Sequence, residues 1–458
     1  MIKRSVMELI NMIDVQNDCA SFADTLITGV SFNTRTIEKG NLFIPLKGET
    51  RDGHEFVQLA FNQGAAVSLW QRDVPNPPKN VPLLIVEDTL VAMQQLAQSY
   101  RKELSLKVVA VTGSNGKTTT KDMLAELLSL KYKVQKTSGN FNNHLGLPLT
   151  ILGLEDDTEV AVLEMGMNHF GEIDLLTNIA NPDAAVITNI GDAHLQELGS
   201  REGIAKAKME ILNGLKSNGL FVFPGEEPLI TNALKNIPNN WKVRTFGKHD
   251  SNDVYPTSLK MTESGSVFEI NESNDIFQMP VLGEYNVMNA LAAMLVASEW
   301  GVPFEQMNKA FANLKLTTMR MEMSDGINGS HVLNDAYNAS PTSMKAVIEL
   351  VSSLEGYTKK IVVLGDMLEL GPNEAEYHLE IGSYLNPETI DLVYTYGELG
   401  KLIAKAAEEN FGSARVFAFE NKNELISHLK SHLVNNALVV VKASRGMKLE
   451  EVVQSITE

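Results

Sequence analysis

Cysteine is almost absent from this chain of 458 residues. The single thiol, Cys19, excludes an internal disulfide and leaves nothing for a cysteine-rich metal site, which fits a reducing compartment. No apolar run approaches the roughly 18 residues that span a bilayer. The opening M-I-K-R-S-V-M-E-L-I-N-M-I-D is interrupted by Glu8 and Asn11, so it does not read as a signal-peptide core. No run of basic residues offsets the net charge of -18, and a nucleic-acid partner is therefore not expected: its phosphate backbone would be repelled. Solenoid periods and low-complexity tracts are missing too. What remains is the expectation of a soluble cytoplasmic protein without membrane insertion. Nothing suggests an obligate assembly, so a monomer is expected.

The length exceeds what one hydrophobic core serves, and about three domains are expected. Residues 1–86 hold strand-like pieces between turns, ending in Leu83 to Val86 after the Pro-rich loop V-P-N-P-P-K-N-V-P. This predicts a small mixed α/β N-terminal domain. An amphipathic helix from Thr89 to Arg101 leads into a central domain, 87–314. There the apolar runs Val108 to Val111, Val160 to Leu163 and Ala184 to Ile187 alternate with helical stretches, which predicts a mainly parallel sheet buried on both faces. Hairpin-like pieces in 216–282 predict that this sheet gains antiparallel strands, and a helix from Val287 to Glu299 is expected to close the domain. From 315 to 458 the strand-then-helix rhythm restarts in H-V-L-N-D, K-K-I-V-V-L-G-D, D-L-V-Y-T-Y-G and A-L-V-V-V-K, predicting a Rossmann-like doubly wound domain. The fold class is α/β throughout.

The most informative stretch is V-V-A-V-T-G-S-N-G-K-T-T-T at 108 to 120. The commoner phosphate-loop spacing would place a further glycine at Val111, yet the physics does not require it. Gly113 and Gly116 let the backbone curl so that amides face phosphate oxygens, at the positive end of a helix starting near Lys117. Lys117 supplies a cation and Thr118 a hydroxyl for Mg²⁺. Glu164 directly follows the strand V-A-V-L, and His194 lies just beyond the strand A-A-V-I-T-N. Both should emerge at the sheet edge that carries the loop, as candidate metal ligands. Lys208 is stranger. At 100° per residue it shares a stripe with Ile204, Ile211, Leu212 and Leu215, while Lys206 and Glu210 point away. A lysine there is costly to desolvate unless it is paired, chemically changed or snorkelling to the rim.

At these residues the sequence resembles the Mur ligases, ATP-dependent amide-forming enzymes of bacterial cell-wall precursor synthesis, whose loop reads T-G-[ST]-N-G-K-T as Thr112 to Thr118 do. The likeness continues through F-N-N-H-L-G-L-P at 141 to 148, L-E-M-G-M at 163 to 167, A-K-A-K-M-E-I at 205 to 211, Y-N-A-S-P at 337 to 341, G-D-M-L-E-L-G at 365 to 371 and K-A-S-R-G-M-K-L-E at 442 to 450. Within the family the chain is most similar to the branch whose partners are UDP-N-acetylmuramoyl-tripeptide and D-alanyl-D-alanine. Folylpolyglutamate synthetases share the loop, but have no reason to carry the first domain.

The resemblance implies three domains that grip UDP, ATP and the incoming dipeptide in turn. It implies ATP, two Mg²⁺ ions and a CO₂-derived carbamate on Lys208, with Thr118, Glu164, His194 and Lys208 as metal ligands and Lys117 at the γ-phosphate. Gly113, Ser114, Asn115, Gly116, Lys117, Thr118 and Thr119 would form the ATP loop, with Asn289, Arg320 and Asp335 at adenine, phosphate and ribose. Thr34, Arg35, Gly48, Asp52, His54 and Phe56 would meet the nucleotide end of the other substrate. Asn140 and Asn143 complete the substrate side, and Asn338, Ser340 and Asp366 would face the dipeptide. His378 in E-Y-H-L-E also matches the pattern, but a helix-surface histidine explains it as well. The sequence departs from the family at Asn33-Thr34-Arg35, Tyr285, Asn334 and Ala443. None of these touches the metal and phosphate set. The alternatives are another Mur-type amino-acid ligase, a folylpolyglutamate synthetase, or a nucleotide-binding switch without catalysis.

Overall fold

The strand Lys107–Thr112 is apolar on both sides, and both sides are buried. Val109 and Val111 belong to one hydrophobic cluster, while Val108 and Ala110 belong to another. Such a strand is stable only at the centre of a sheet covered by helices. In the computed structural model, which describes residues 1–458 apart from 49, 239, 263, 264 and 458, that is where it lies. The central sheet runs in the order Lys242–Phe246, Leu220–Pro224, Ala184–Ile187, Lys107–Thr112, Val160–Glu164, Val134–Lys136, all parallel. The chain departs to either side of Lys107–Thr112, which makes its carboxyl end the switch point where open α/β sheets leave a ligand crevice.

One expectation fails. The strands Leu220–Pro224 and Lys242–Phe246 extend the sheet in parallel, and the antiparallel strands Pro256–Thr262, Gly265–Ile270 and Phe277–Met279 form a separate three-stranded sheet. That small sheet has its own seam: Phe268 and Phe277 stack at 5.4 Å, and both meet Phe311 of the helix Phe304–Ala312 edge-on.

The N-terminal unit joins a parallel sheet, Val30–Ser31, Leu42–Phe43, Val67–Gln71, Leu83–Val86, to an antiparallel pair, Lys3–Ser5 with Leu26–Thr28. Cys19 is buried against it. The connecting helix spans Thr89–Glu103, and the Asp88 carboxylate accepts from the Val91 amide at its start. The helix closing the central unit spans Glu284–Glu299, one turn more than its apolar pattern predicts, because Gly283 at φ 104 turns the chain into it.

The last sheet runs Glu322–Gly326, Ser330–Asn334, Ala437–Lys442, Lys359–Gly365, Leu392–Tyr396, Val416–Phe419. Its first strand is antiparallel and the rest are parallel. One apolar cluster runs on from the central sheet into this one, through Leu333, Val362 and Leu364, and the other runs back into the N-terminal sheet through Leu42 and Leu69. Among the described residues no helix is long and apolar enough to cross a membrane.

Candidate active site

The loop after Lys107–Thr112 is shaped by two positions that tolerate no side chain. Gly113 has φ +153, and a Cβ there would lie 1.8 Å from Thr188 Oγ1; Gly116 has φ +80, and a Cβ would lie 2.4 Å from Asn289 Oδ1. The loop is braced from the neighbouring strand end. The Ser114 amide donates to Asn189 O at 3.1 Å, the Asn115 amide donates to Asn189 Oδ1 at 3.0 Å, and Ser114 Oγ accepts from the Gly191 amide at 2.9 Å. The helix Lys117–Ser129 begins at once, so its free amides face the crevice. Lys117 Nζ donates to Gly113 O at 2.7 Å and Ser114 O at 3.3 Å. Burial pulls its ammonium down to about 8, against the attraction of Glu164. It remains mainly a cation at neutral pH.

Around this loop sit polar atoms that the fold buries without satisfying. Glu164, 2 % exposed, accepts from Asn142 Nδ2 at 2.8 Å on Oε1, while Oε2 has no hydrogen-bond partner among the described residues and stands 3.6 Å from Lys121 Nζ. His194 takes φ 67, and its Nδ1 is buried without a hydrogen bond, 3.5 Å from Glu369 Oε2. Burial, then Lys117 and Lys208, drive this imidazole down to about 3, so the ring stays neutral and one nitrogen keeps its lone pair free. Lys208 lies at 1 % exposure on the helix Arg201–Met209, with Ile204, Ile211, Leu212 and Leu215 all buried as the stripe predicts. Its amine makes no hydrogen bond or ion pair with the described residues. Burial and then Lys117 hold it well below the usual lysine range. Thr118 is buried in the first helical turn. Unpaired oxygen and nitrogen donors of this kind fit a cation. Among the described residues no three His, Cys, Asp or Glu side chains converge to hold one, so a metal here needs donors from elsewhere.

The last sheet and the segment leading into it supply the opposite wall. Arg320 stacks its guanidinium 4.2 Å from the Tyr337 ring centroid, with Nε buried and unpaired. Lys442 Nζ pairs with Asp335 Oδ2 at 2.5 Å and donates to Asn338 O at 3.0 Å. Tyr285 directs a buried, partnerless hydroxyl at this wall, and burial, then Asp335, push that phenol well above its ordinary range. Together these walls enclose a cavity of about 1290 Å³ lined by Ser114, Asn115, Gly116, Lys117, Thr119, Asn143, Glu164, His194, Asn289, Arg320, Asp335 and Asn338. The walls are bridged directly, by Thr342 Oγ1 donating to Asp192 Oδ2 at 2.7 Å and Asn115 Nδ2 to Ser340 Oγ at 3.4 Å.

Several of the expected residues do not line this cavity. Gly113, Thr118 and Lys208 lie behind the lining, and Asn140 is exposed elsewhere. Ser340 is the N-cap of the helix Pro341–Ser353. Asp366 accepts from the Gly400 amide at 2.7 Å, anchoring the start of the helix Gly400–Phe411, so its carboxylate is engaged by the fold and does not face the cavity. His378 is fully buried between the Met367 amide and Glu374 O. The helix-surface reading of that residue is corrected.

Thr34, Arg35, Gly48, Asp52, His54 and Phe56 lie in loops and 3-10 turns at the carboxyl ends of the N-terminal strands, outside the cavity. His54 is spent on structure: Nδ1 pairs with Asp52 Oδ1 at 2.6 Å and Nε2 accepts from the Gln71 amide. Sequence reasoning missed Lys442, Tyr337, Thr188, Lys121 and Asn142. For Lys442 a signal existed, since it ends an apolar strand at the ligand edge.

Known proteins place this arrangement. The Mur ligase family, catalytic domain model matches residues 26–101, the Mur ligase middle domain model matches 111–297, and the Mur ligase, glutamate ligase domain model matches 319–445. A UDP-N-acetylmuramoyl-tripeptide D-alanyl-D-alanine ligase of Bacillus subtilis (strain 168) is 50% identical over 458 residues, covering 100% of this chain and 99% of the relative. The crystal structure of MurF from Acinetobacter baumannii superposes with a TM-score of 0.87 at 30% identity, over 99% of this chain and 98% of that one. MurF ligase from Thermotoga maritima in complex with ADP gives 0.82 at 30% identity, over 93% and 96%.

Proposed function

The chain belongs to the Mur ligase family, and from that premise we propose that it joins D-alanyl-D-alanine to UDP-N-acetylmuramoyl-tripeptide, using ATP, to give the pentapeptide precursor of peptidoglycan. One observation carries this reading. A single cavity brings the glycine loop and Lys117, Glu164 and His194, and Arg320 with Asp335 from the facing domain to a common centre.

The chemistry needs such a centre. A carboxylate is a poor electrophile, so the terminal carboxylate of the tripeptide first attacks the γ-phosphate, releasing ADP and forming an acyl phosphate. The dipeptide amine then attacks the acyl carbon, and phosphate leaves from the tetrahedral intermediate. In the first step two anions must approach, and catalysis is chiefly positioning and charge neutralisation. Lys117 and the loop amides hold the phosphates, and Arg320 adds positive charge from the facing domain. Asp335, kept in place by Lys442, is suited to a ribose hydroxyl. Asn289, packed against Gly116, is suited to the adenine side. Contact between the two domains excludes water from the acyl phosphate. His194, held neutral, offers a lone pair and adds no positive charge of its own.

Thr118, Glu164 and His194 are the residues that would hold Mg²⁺, which would supply charge neutralisation where the two anions approach. Lys208 would complete the set as a carbamate. Its amine, which burial makes a weaker base than an ordinary lysine and which has no partner among the described residues, would add to the carbon of CO₂ with loss of one proton, giving an anion with two oxygen donors. Residues 1–86 would hold the UDP end, 87–314 ATP, and 315–458 the dipeptide, through Asn338. The reaction is placed in the cytoplasm, with the protein acting as a monomer.

A panel of amines tests the assignment. With ATP and UDP-N-acetylmuramoyl-tripeptide, phosphate release is expected with D-alanyl-D-alanine. Release with glutamate or diaminopimelate and none with the dipeptide would overturn it. Carbamylation is tested by Lys208→Ala, which should lose activity and regain part of it with small carboxylates.

A further inference from the structure

Arg320 sits in a segment that no helix or strand supports, between the helix Phe304–Ala312 and the strand Glu322–Gly326. Its neighbours Met319 and Met321 have φ of 63° and 53°. Left-handed backbone at two residues without glycine's freedom is unfavourable and persists only where surrounding contacts determine it. Three carboxylates do so. Glu322 Oε2 accepts from the Met319 amide at 3.0 Å, and Asp335 Oδ1 accepts from the Met321 amide at 3.3 Å. The third is Asp122, whose Oδ2 accepts from both the amide and the hydroxyl of Thr317, at 2.8 and 2.9 Å.

Of the three, Asp122 alone belongs to the central domain, and its position is telling. It lies one helical turn beyond Thr118, as Lys121 lies one turn beyond Lys117, on the helix that the phosphate loop opens. Both are 1 % exposed. Lys121 Nζ stands 3.7 Å from Asp122 Oδ1 and 3.6 Å from Glu164 Oε2, and Lys136 Nζ donates to Asp122 Oδ1 at 2.7 Å. Two buried carboxylates therefore share one buried ammonium, with Glu164 at the phosphate end and Asp122 at the linker end. Charges so placed are retained only when every partner is in position.

We propose that Asp122 is a positioning residue for the reaction: by holding Thr317 it fixes the interdomain linker to the phosphate-loop helix and so places Arg320 on the nucleotide. This rests on the reading above that Arg320 reaches the phosphates of ATP. The linker's register is set by the same helix that grips the phosphates, so the two domains align on the nucleotide through a shared element.

The test is a double-mutant cycle on the full-length enzyme. Asp122→Asn should lower kcat by up to about a hundredfold, the scale for a catalytic group misplaced by about 1 Å. The KM for the UDP-linked substrate should not change. Thr317→Val, which removes the hydroxyl and leaves the backbone hydrogen bond, should give a smaller loss in the same direction, and keeps the test open if Asp122→Asn does not fold. In an Arg320→Ala background neither substitution should lower kcat further. Equal fold-losses in both backgrounds, or undiminished kcat in Asp122→Asn, would overturn the proposal while leaving Arg320's role intact. Undiminished turnover in Arg320→Ala alone would instead refute the placement of Arg320 on ATP, and the proposal with it.

Discussion

Replacing Lys208 by methionine should make the free protein more stable while disabling it. The wild-type fold leaves Lys208 1 % exposed, its amine without a hydrogen-bond or ionic partner among the described residues, near the buried Ile204, Ile211 and Leu212. An unpartnered polar group buried in this way costs about 1–3 kcal/mol. A methionine of similar length loses under about 1.5 kcal/mol to imperfect packing. Taking the middle of each range, the net expectation in buffer stripped of CO₂ at neutral pH is a gain of about 1 kcal/mol. The sign with pH follows from the amine's lowered proton affinity. Between the folded value and the unfolded lysine value near 10.5, only the unfolded chain takes up a proton, so wild-type stability rises with pH across that window. The methionine variant has no such term, and its advantage should be largest on the acid side and shrink toward pH 10.5. Urea unfolding followed through Trp241 and Trp300, repeated across pH with and without bicarbonate, measures this. Bicarbonate should narrow the gap by converting the wild-type amine. A methionine variant less stable than wild type without CO₂ would refute the reasoning, because it would mean that the amine has a favourable partner in the fold.

Gly116→Ala should bind ATP at least about tenfold more weakly and cost about 1–2 kcal/mol of stability from left-handed backbone alone. Its Cβ would lie 2.4 Å from Asn289 Oδ1 and displace that side chain, which titration calorimetry with nucleotide would register. Asp366→Ala should cost about 1 kcal/mol, the usual loss of a helix cap, and leave the KM for D-alanyl-D-alanine unchanged. Thermal unfolding and initial rates measured side by side would separate that outcome from a substrate contact.

What the sequence made legible followed from local pattern. The β-branched runs announced a sheet covered on both faces, and Gly113, Gly116 and Lys117 announced a phosphate loop, because the spacing of those residues is itself the geometry. Lys208 was readable for the same reason, since a helical period of 100° places it among isoleucines and leucines without any knowledge of the tertiary fold. The Thr188 hydroxyl that crowds Gly113, the Lys442 ammonium on Asp335 and the Asp122 carboxylate on Thr317 were not readable. Each joins residues far apart in the chain, the last two by 107 and 195 positions, and only the folded topology brings them together. Asp366 and His54 show the opposite limit. Each stands in a motif suggestive of ligand contact, yet the backbone amides of Gly400 and Gln71 claim their side chains, and a sequence does not show which polar group a loop amide will find. The three-stranded sheet around Phe268 was misplaced because alternation reveals a strand without revealing which sheet accepts it.

The lone thiol has a practical consequence. Cys19 is 5 % exposed, and burial pushes its proton affinity up, so the native surface offers no reactive sulfur. A pair of cysteines introduced on exposed positions either side of the crevice could therefore carry donor and acceptor dyes without first removing the native residue. The distance between the lobes could then be followed in single molecules as ATP, tripeptide and dipeptide arrive in turn.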